Sequence, residues 1–506
     1  MRSLVHIAHV TDLQLADTQS PGRFEFLEFL RGLPGTDSFI PAQRAQEVLA
    51  AHAFDAMLST LGCCESRETG APVDLVISTG DNIDNAQWNE LGWFVTLMSG
   101  GALDMARGRP YRGVQSADWP GDLAWHPDGG ADCWRIGYGY PTVEGLLDRA
   151  LAPFETAGSL APWISCFGNH DGLPFGQALP TPSYLARLLS GAKPYALPPA
   201  FDPFEHESEL LENPETFLAG PSLPVPADLA RRVVGRREFV EAHLGAPGLP
   251  AGHGYSATNL HESTTYFTHD PAPLVRVVVL DSANLDGFHR GSIGARQLAW
   301  LEGQLLACHS SCFDPAGRPM RGEGDDRLVV LASHHGLGTM TNLRQSHHGL
   351  EDDHPRFGAE AVRSLLARFP NVVLWLNGHR HLNEIVVHEW AKAGGPSGHR
   401  GACVEVSTCS MADWPSQGRL VEIVTNEGAG TISVLTTMVN HASPLGPGGL
   451  GAGRRESGGL DGPAGLASLH RELAANVPMA GTGSSLEGRP ADRNCKIVLP
   501  EPFRLG

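Results

Sequence analysis

Short apolar runs that end in polar clusters dominate the pattern of this 506-residue chain. The runs extend over Val5 to Val10, Leu75 to Ser78, Trp163 to Phe167, Leu328 to Ala332 and Val372 to Leu376. Their length and their content of β-branched and aromatic residues are typical of buried strands, so each run predicts a strand. The polar clusters then follow strand carboxyl ends, the edge at which sheets of this type bind ligands.

The segments between and after these five runs predict helices and further strands. Helices are predicted from about Pro41, over Ala227 to His243, over Ala295 to Cys308 and over Ala359 to Phe369. Further strands are predicted over Val275 to Leu280, Ala402 to Ser407, Leu420 to Val424 and Thr431 to Thr436. This succession favours an α/β fold in which the late strands belong to a second sheet behind the first.

Two long irregular segments, at about 86–160 and 172–260, are predicted insertions. The first contains Trp88, Trp93, Trp119, Trp125 and Trp134. These rings can stack on a base or an apolar leaving group, or pack the insertion onto the sheets, and the sequence leaves the alternatives open. Residues 444–466 are Gly-rich and predict a linker, with a closing helix over Leu469 to Asn476. We therefore expect one domain over residues 1–440 and a linker and tail over 441–506.

Charge and cysteine content restrict the classes of molecule that this protein is expected to bind. The net charge of −19 argues against a duplex nucleic-acid binder and disfavours, without excluding, a nuclease acting on single strands. The nine cysteines show no CxxC pair, and Cys308 and Cys312 are a weak candidate metal pair, so buried free thiols are favoured. No stretch reaches the roughly 18 to 20 apolar residues of a membrane span. As written, the chain predicts a cytoplasmic protein, or an exported one if an N-terminal signal precedes it.

The five polar clusters carry the candidate chemistry. They are Asp12-Leu13-Gln14, Gly80-Asp81-Asn82, Gly168-Asn169-His170-Asp171, Ser333-His334-His335 and Gly378-His379-Arg380-His381. Two divalent cations can supply the nucleophile and the charge neutralisation that hydrolysis of a phosphate ester requires. Cations roughly 3.5 to 4 Å apart need a bridging ligand, for which the carboxylate of Asp81 is the candidate. Mixed oxygen and nitrogen ligands suit Mn, Fe or Zn.

In their order, these clusters resemble the calcineurin-like metallophosphoesterase superfamily, whose pattern is D-x-H, G-D-x-x-D/N, G-N-H-D/E, a later His and G-H-x-H. The resemblance covers about residues 5–440 and implies a four-layer α-β-β-α sandwich of two mixed sheets, with the insertions at the rim of the site. By the same resemblance, one metal would be held by Asp12, Gln14, Asp81 and His381, and the other by Asp81, Asn169, His334 and His379. His170 would be the catalytic histidine, Asp171 would orient it, and the nucleophile would be a metal-bound hydroxide.

Gln14 stands where the family commonly has His. The string Asp12-Leu13-Gln14-Leu15-Ala16-Asp17 resembles the start of manganese-dependent ADP-ribose/CDP-alcohol diphosphatases, whereas the later segments resemble bacterial phosphoesterase-like proteins with long insertions. We therefore expect a binuclear-metal phosphoesterase that hydrolyses phosphodiester or nucleotide pyrophosphate bonds of a small substrate. The alternatives are a phosphomonoesterase of the same fold and a non-catalytic binding module that has lost one metal.

Some assignments stay open. His334 is favoured over His335 from its place in the family pattern, because adjacent residues at a strand end point to opposite sides. Arg380 lies between two candidate ligands and either contacts phosphate or pairs with a nearby acid. Asp281-Ser282 also follows a strand, but no G-x-S-x-G elbow surrounds it, so a structural role is favoured. A polar loop with His347, His348, Asp352, Asp353 and His354 lacks strand support and predicts a solvated loop.

Overall fold

Two six-stranded mixed sheets form the framework of the protein in this computed structural model, which describes residues 1–36, 39–390, 401–426, 428–443, 460, 462–477 and 486–505. The strands are β1 (Arg2–Val10), β2 (Leu75–Ser78), β3 (Gly101–Leu103), β4 (Phe154–Thr156), β5 (Trp163–Ser165), β6 (Ala192–Pro194), β7 (Ser222–Pro224), β8 (Phe267–Ala272), β9 (Val275–Val279), β10 (Ile293–Gly294), β11 (Ser311–Phe313), β12 (Pro319–Arg321), β13 (Leu328–Ala332), β14 (Arg356–Phe357), β15 (Val372–Asn377), β16 (Glu384–Glu389), β17 (Ala402–Ser407), β18 (Gln417–Asn426), β19 (Thr431–Asn440) and β20 (Cys495–Pro500). The α-helices are α1 (Ala50–Leu61), α2 (Trp88–Ser99), α3 (Cys133–Tyr138), α4 (Leu146–Leu151), α5 (Pro182–Leu189), α6 (Glu207–Glu212), α7 (Arg236–Gly245), α8 (Ala257–Glu262), α9 (Ala295–Ala307), α10 (Ala359–Leu366) and α11 (Pro463–Ala475).

The strand order brings the polar clusters together. The first sheet has the order β20-β19-β18-β1-β2-β5 and the second β16-β17-β15-β13-β9-β8. Strands β1, β2 and β5 run parallel, as do β13 and β15. Parallel neighbours end at the same edge of a sheet. The loops after β1, β2 and β5 therefore lie side by side, and so do those after β13 and β15.

The two sheets share one hydrophobic core. Ile7 of the first sheet and Val277 of the second belong to the same cluster of buried residues. Helices α9 and α10 pack in a separate cluster with other side chains of the second sheet, such as Val278 and Leu331. An α/β fold with two large mixed sheets is confirmed, whereas the complete four-layer order stays a prediction.

Predicted strands agree with the structure better than predicted helices do. Strands β1, β2, β13 and β15 are confirmed, but the helix predicted from about Pro41 begins only at Ala50. Residues before it are held by tertiary contacts, since Arg44 pairs with Asp413 and Glu47 with Arg23. The helix predicted over 227–243 is likewise limited to α7 (Arg236–Gly245), after a 3-10 turn at 229–231. Apolar periodicity continues through such segments and does not mark where a helix begins.

Three of the five tryptophans of the first insertion, Trp93, Trp125 and Trp134, lie in the shared core, whereas Trp119 packs in a separate small cluster. Four of the five are buried. The guanidinium carbon of Arg232 lies 4.0 Å from the ring centroid of the fifth, Trp88. The second insertion packs against Phe24, Leu27 and Phe39 through a separate cluster that includes Tyr184 and Phe217.

Residues beyond 440 also contact the framework. Strand β20 pairs antiparallel with β19, with Ile497 opposite Val434. Helix α11 begins at Pro463, within the segment predicted as a linker, and its Leu469 lies in the shared core. Residues 444–459 and 461 of that linker lie outside the described residues. The division at residue 440 stays a prediction. None of the described helices combines the length and apolar character that crossing a bilayer requires.

Candidate metal centre

The five polar clusters follow β1, β2, β5, β13 and β15. Backbone hydrogen bonds hold their loops together, since the amide of Asp12 donates to the carbonyl of Gly80 (3.1 Å) and that of Gly378 to the carbonyl of His334 (3.0 Å). Loops of the two sheets also meet, because the backbone N–H of His379 donates to Oδ2 of Asp12 (3.0 Å). The sheet edges therefore bring side chains of different clusters to one centre.

Two carboxylates and two histidines lie within contact distance there. Nε2 of His334 lies 3.1 Å from Oδ2 of Asp81 and 4.0 Å from Oδ1 of Asp12. Nε2 of His381 lies 3.2 Å from the same Oδ1 of Asp12. The ligand atoms of Asp12, Asp81 and His334 all lie within 4.8 Å of one another, a grouping that could hold a metal ion.

Buried polar atoms of the centre are not satisfied by ordinary hydrogen bonds among the described residues. Oε1 of Gln14 and Oδ1 of Asn169 have no partner, whereas Oδ1 of Asp12 and Nε2 of His334 are engaged by ion-pair contacts to His381 and Asp81. Leaving one buried polar atom unpaired costs about 1–3 kcal/mol, so two unpaired oxygens in one centre are not expected from packing alone. Oxygen and nitrogen lone pairs around one centre are ligands suited to divalent Mn, Fe or Zn. The residues present therefore fit a cation site.

Backbone strain is concentrated on the same residues. Five candidate ligands have φ in the left-handed region: Asp12 (51°), Gln14 (43°), Asp81 (49°), His379 (67°) and His381 (54°). A non-glycine residue in this region costs of order 1–3 kcal/mol and persists only where the surrounding structure enforces it. Such residues cluster at binding and catalytic sites, which independently supports a functional centre here.

Charges of opposite sign are coupled across the centre. Burial opposes ionisation of Asp81, but the adjacent His334 holds the pKa of this carboxyl below its usual range. Burial likewise disfavours a charged His334, yet Asp81 and then Asp12 raise its pKa to about 9. The pKa of His381 rises to about 10, because Asp12 and Asp413 outweigh burial. The carboxylates therefore require positive charge beside them, and metal cations can replace the protons.

His334 and His335 differ in how their nitrogens are used. Nδ1 of His334 donates to the carbonyl of Thr79 (3.0 Å), which leaves Nε2 directed at the centre. In His335, Nδ1 accepts from the hydroxyl of Ser282 (2.9 Å) and Nε2 donates to the carbonyl of His289 (2.8 Å). Both ring nitrogens of His335 are thus engaged, which favours His334 as the ligand. Ser282 has the structural role expected for it.

His170 is held by Asp84. Nδ1 of His170 donates to the backbone carbonyl of Asp84 (2.6 Å), and Nε2 lies 4.0 Å from Oδ2 of Asp81. The carboxylate of Asp84 is in turn paired with the buried Arg23. Asp84 was not identified from the sequence, although its position three residues after Asp81 in the G-D-x-x-D/N pattern was a usable signal.

Asp171 does not orient His170, which corrects the role expected for it. Among the described hydrogen bonds, its buried carboxylate instead accepts from the amide of Gly168 (2.7 Å) and from the amide and the side chain of Asn82 (3.0 Å each). The turn directs Asp171 into the protein, where it joins the loops after β2 and β5. Its role is to position loops rather than a ring.

Asp413 is a second residue that the sequence analysis missed. Its Oδ2 lies 2.5 Å from Nδ1 of His381, and its Oδ1 is paired with Nε of Arg44 (2.6 Å). Asp413 follows β17 and belongs to none of the five clusters, so no local pattern identified it. It orients His381 in the way that a hydrogen-bonded carboxylate orients a metal-binding imidazole.

A cavity of about 320 Å³ opens over the centre. Its lining includes Gln14, Asp81, Asn169, His170, His379, Arg380 and His381. Arg380 is paired with Glu384, in agreement with one of its two expected alternatives. The apolar part of its lining includes Phe39, Phe175 and Trp414.

The other candidate clusters have structural roles. In the loop of 347–354, His354 pairs with Asp286 (3.0 Å), and Asp353 accepts from the amide of Arg296 (2.7 Å) at the start of α9. In the part of the chain that the structure describes, both groupings with cation-ligand geometry lie in the centre. All nine cysteines are free thiols, and five of them, Cys308 and Cys312 included, are buried.

Comparisons with known proteins add little. No family model matches the sequence, and no curated protein matches it. A dimetal phosphatase from Danio rerio is similar over 87% of this chain and 100% of its own, with 13% identity and a TM-score of 0.35. GAP50, the anchor in the inner membrane complex of Plasmodium, is similar over 87% of this chain and 85% of its own, with 10% identity and a TM-score of 0.27. At such low TM-scores neither likeness supports a conclusion about this chain.

Proposed function

We propose that this protein is a binuclear-metal-dependent phosphoesterase that hydrolyses phosphodiester or nucleotide pyrophosphate bonds. The observation that carries the proposal is the convergence of buried ligand atoms on one centre: the unpaired oxygens of Gln14 and Asn169 lie with the ion pairs of Asp12 and His334, beside the ionised carboxylate of Asp81. The strained backbone of five candidate ligands is independent support.

The proposed ligands fall into two sets that share Asp81. One cation would be held by Asp12, Gln14, Asp81 and His381, and the other by Asp81, Asn169, His334 and His379. The close pairs agree with this division, because Asp12 contacts His381 and Asp81 contacts His334. When bound, two divalent cations of Mn, Fe or Zn would neutralise phosphoryl charge and lower the pKa of a water molecule.

Residues around the ligands orient them. The carbonyl of Thr79 holds Nδ1 of His334, and Asp413 holds Nδ1 of His381, so that Nε2 of each ring faces the centre. His170, held through Nδ1 by Asp84, presents Nε2 towards Asp81 in the cavity. From this position His170 would donate a proton to the leaving oxygen of the ester.

The test combines metal analysis with turnover. Protein loaded with Mn²⁺ should contain two ions per chain by mass spectrometry and should hydrolyse bis(4-nitrophenyl) phosphate faster than 4-nitrophenyl phosphate. Asp81→Asn should lose bound metal and turnover with an unchanged circular dichroism spectrum, because an amide oxygen lacks the bridging charge.

Asp352→Asn, on an exposed side chain outside the centre, is the matched control and should keep both properties. A folded protein without bound ions and without turnover would contradict the proposal. A single ion without turnover would favour the alternative of a binding module, with Gln14 as the weak ligand.

A further inference from the structure

An exposed apolar groove adjoins the cavity over the metal centre. It measures about 920 Å³ and lies between residues 28–36 with Ile40 on one side and helix α3 on the other. Phe29, Leu33, Ile136 and Tyr138 line it, and all four are exposed, with Ile136 at 76%. Contiguous exposed apolar side chains of this kind mark a binding site.

The groove is continuous with the cavity. Arg31 and Ile40 line both of them. The cavity wall next to Ile40 is also apolar, with Phe39 and Pro41. A molecule whose phosphorus lies at the metal centre can therefore extend an apolar group past Ile40 into the groove.

Arg31 lies where the two spaces meet. Its Nε is paired with Glu28, and its guanidinium carbon lies 5.4 Å from the ring centroid of Trp134. Its Nη1 and Nη2 are buried and have no hydrogen-bond partner among the described residues. Two such donors suit a phosphoryl or carbonyl oxygen between the reacting phosphorus and an apolar chain.

We propose that the substrate is an amphiphilic phosphodiester, with its phosphoryl group at the metal centre, an oxygen of its linkage on Arg31 and its aliphatic chain in the groove. This inference rests on the proposed function and narrows it. A nucleotide pyrophosphate fits the surroundings less well, because the other two cavity arginines, Arg44 and Arg380, are already paired with Asp413 and Glu384.

The experiment uses the metal-loaded full chain and a series of alkyl 4-nitrophenyl phosphodiesters from methyl to octyl, each kept monomeric. Burial of a methylene group stabilises a complex enough to raise kcat/KM roughly fourfold per added carbon, until the groove is filled. A flat series with measurable turnover of the methyl ester would overturn this inference and leave the phosphoesterase proposal intact. No turnover of any member, with no bound metal, would overturn both.

Substitutions in the groove test whether the dependence of kcat/KM on chain length arises there. Ile136→Asp and Leu33→Asp should each lower the ratio of octyl to methyl kcat/KM by about tenfold, because a carboxylate in the groove opposes apolar contact. Leu229→Asp, at a side chain 79% exposed and outside the groove, should leave both values unchanged. Equal losses for the octyl and methyl esters would contradict the inference. So would a preference for octyl that appears only with phosphatidylcholine vesicles, since the groove would then contact a lipid surface.

Discussion

His170 is the side chain whose removal best separates catalysis from cation binding. Its Nδ1 is engaged by the carbonyl of Asp84, and its Nε2 lies in the cavity, 4.0 Å from Asp81. Other groups orient the two histidine ligands whose contacts are described above, since the carbonyl of Thr79 holds His334 and Asp413 holds His381. A histidine in this place can therefore act on the leaving group without holding a metal.

We expect His170→Ala to slow hydrolysis by roughly 100-fold or more while metal content stays nearly unchanged, as for removal of a positioned acid. The loss should be larger for an ester with an alkoxide leaving group than for one with 4-nitrophenolate, which needs less protonation. Kinetics on both esters, with metal analysis of the same samples, measure this. If the variant lost both metals, His170 would be a ligand and its assigned role would be wrong.

At the scale of elements, the loops after β2 and β5 approach so closely that only glycine fits between them. A Cβ on Gly168 would lie 2.2 Å from Oδ1 and 2.3 Å from the backbone nitrogen of Asp81. Asp171 also connects these two loops, because its carboxylate accepts hydrogen bonds from Gly168 and Asn82. The position of the central carboxylate thus depends on the absence of one side chain.

Gly168→Ala should therefore displace Asp81, with loss of metal and turnover and a decrease of about 1–3 kcal/mol in the free energy of unfolding. The matched control is Gly303→Ala within α9, where an added Cβ meets nothing within 4 Å. That substitution should stabilise the protein by about 0.5–1 kcal/mol through helix propensity. Urea denaturation and metal analysis compare the two variants. Equal metal content in both would show that the loops adapt.

At the scale of the whole molecule, several histidines are buried without charge. Burial lowers the pKa of His9, His243, His441 and His470 to about 3 and that of His52 to about 4. In the unfolded chain a histidine takes up a proton near pH 6.5. Below that pH the unfolded state binds more protons than the folded state, so these groups reduce stability as the pH falls towards 3 or 4.

His470 offers the clearest test, because neither ring nitrogen has a hydrogen-bond partner among the described residues. His470→Leu should reduce the dependence of the free energy of unfolding on pH, between about pH 6 and pH 4, by about 1.4 kcal/mol per pH unit. Urea denaturation at several pH values measures this slope. His261→Leu, at an exposed histidine, is the control and should leave the slope unchanged. An unaltered slope in His470→Leu would mean that this ring is accessible to protons.

The sequence by itself determined the strands of the framework and the residues at their ends. Strands buried on both faces are largely apolar, so β2, β13 and β15 were readable as continuous runs, and β1 as a run interrupted by the buried His6 and His9. The polar residues that end them stand out against those runs for the same reason. The α/β class and the polar clusters could therefore be predicted from the pattern, whereas the assignment of ligands within the clusters depended on the family resemblance and stays a prediction.

Only the tertiary structure decided which partners meet those ligands. Asp413 reaches His381, and Asp84 rather than Asp171 holds His170, because distant loops converge at one sheet edge. The groove likewise joins the cavity only because residues 28–36 and Ile40 lie beside α3. Such contacts depend on the path that the chain takes after a strand or helix ends. Local hydrophobic periodicity does not encode that path.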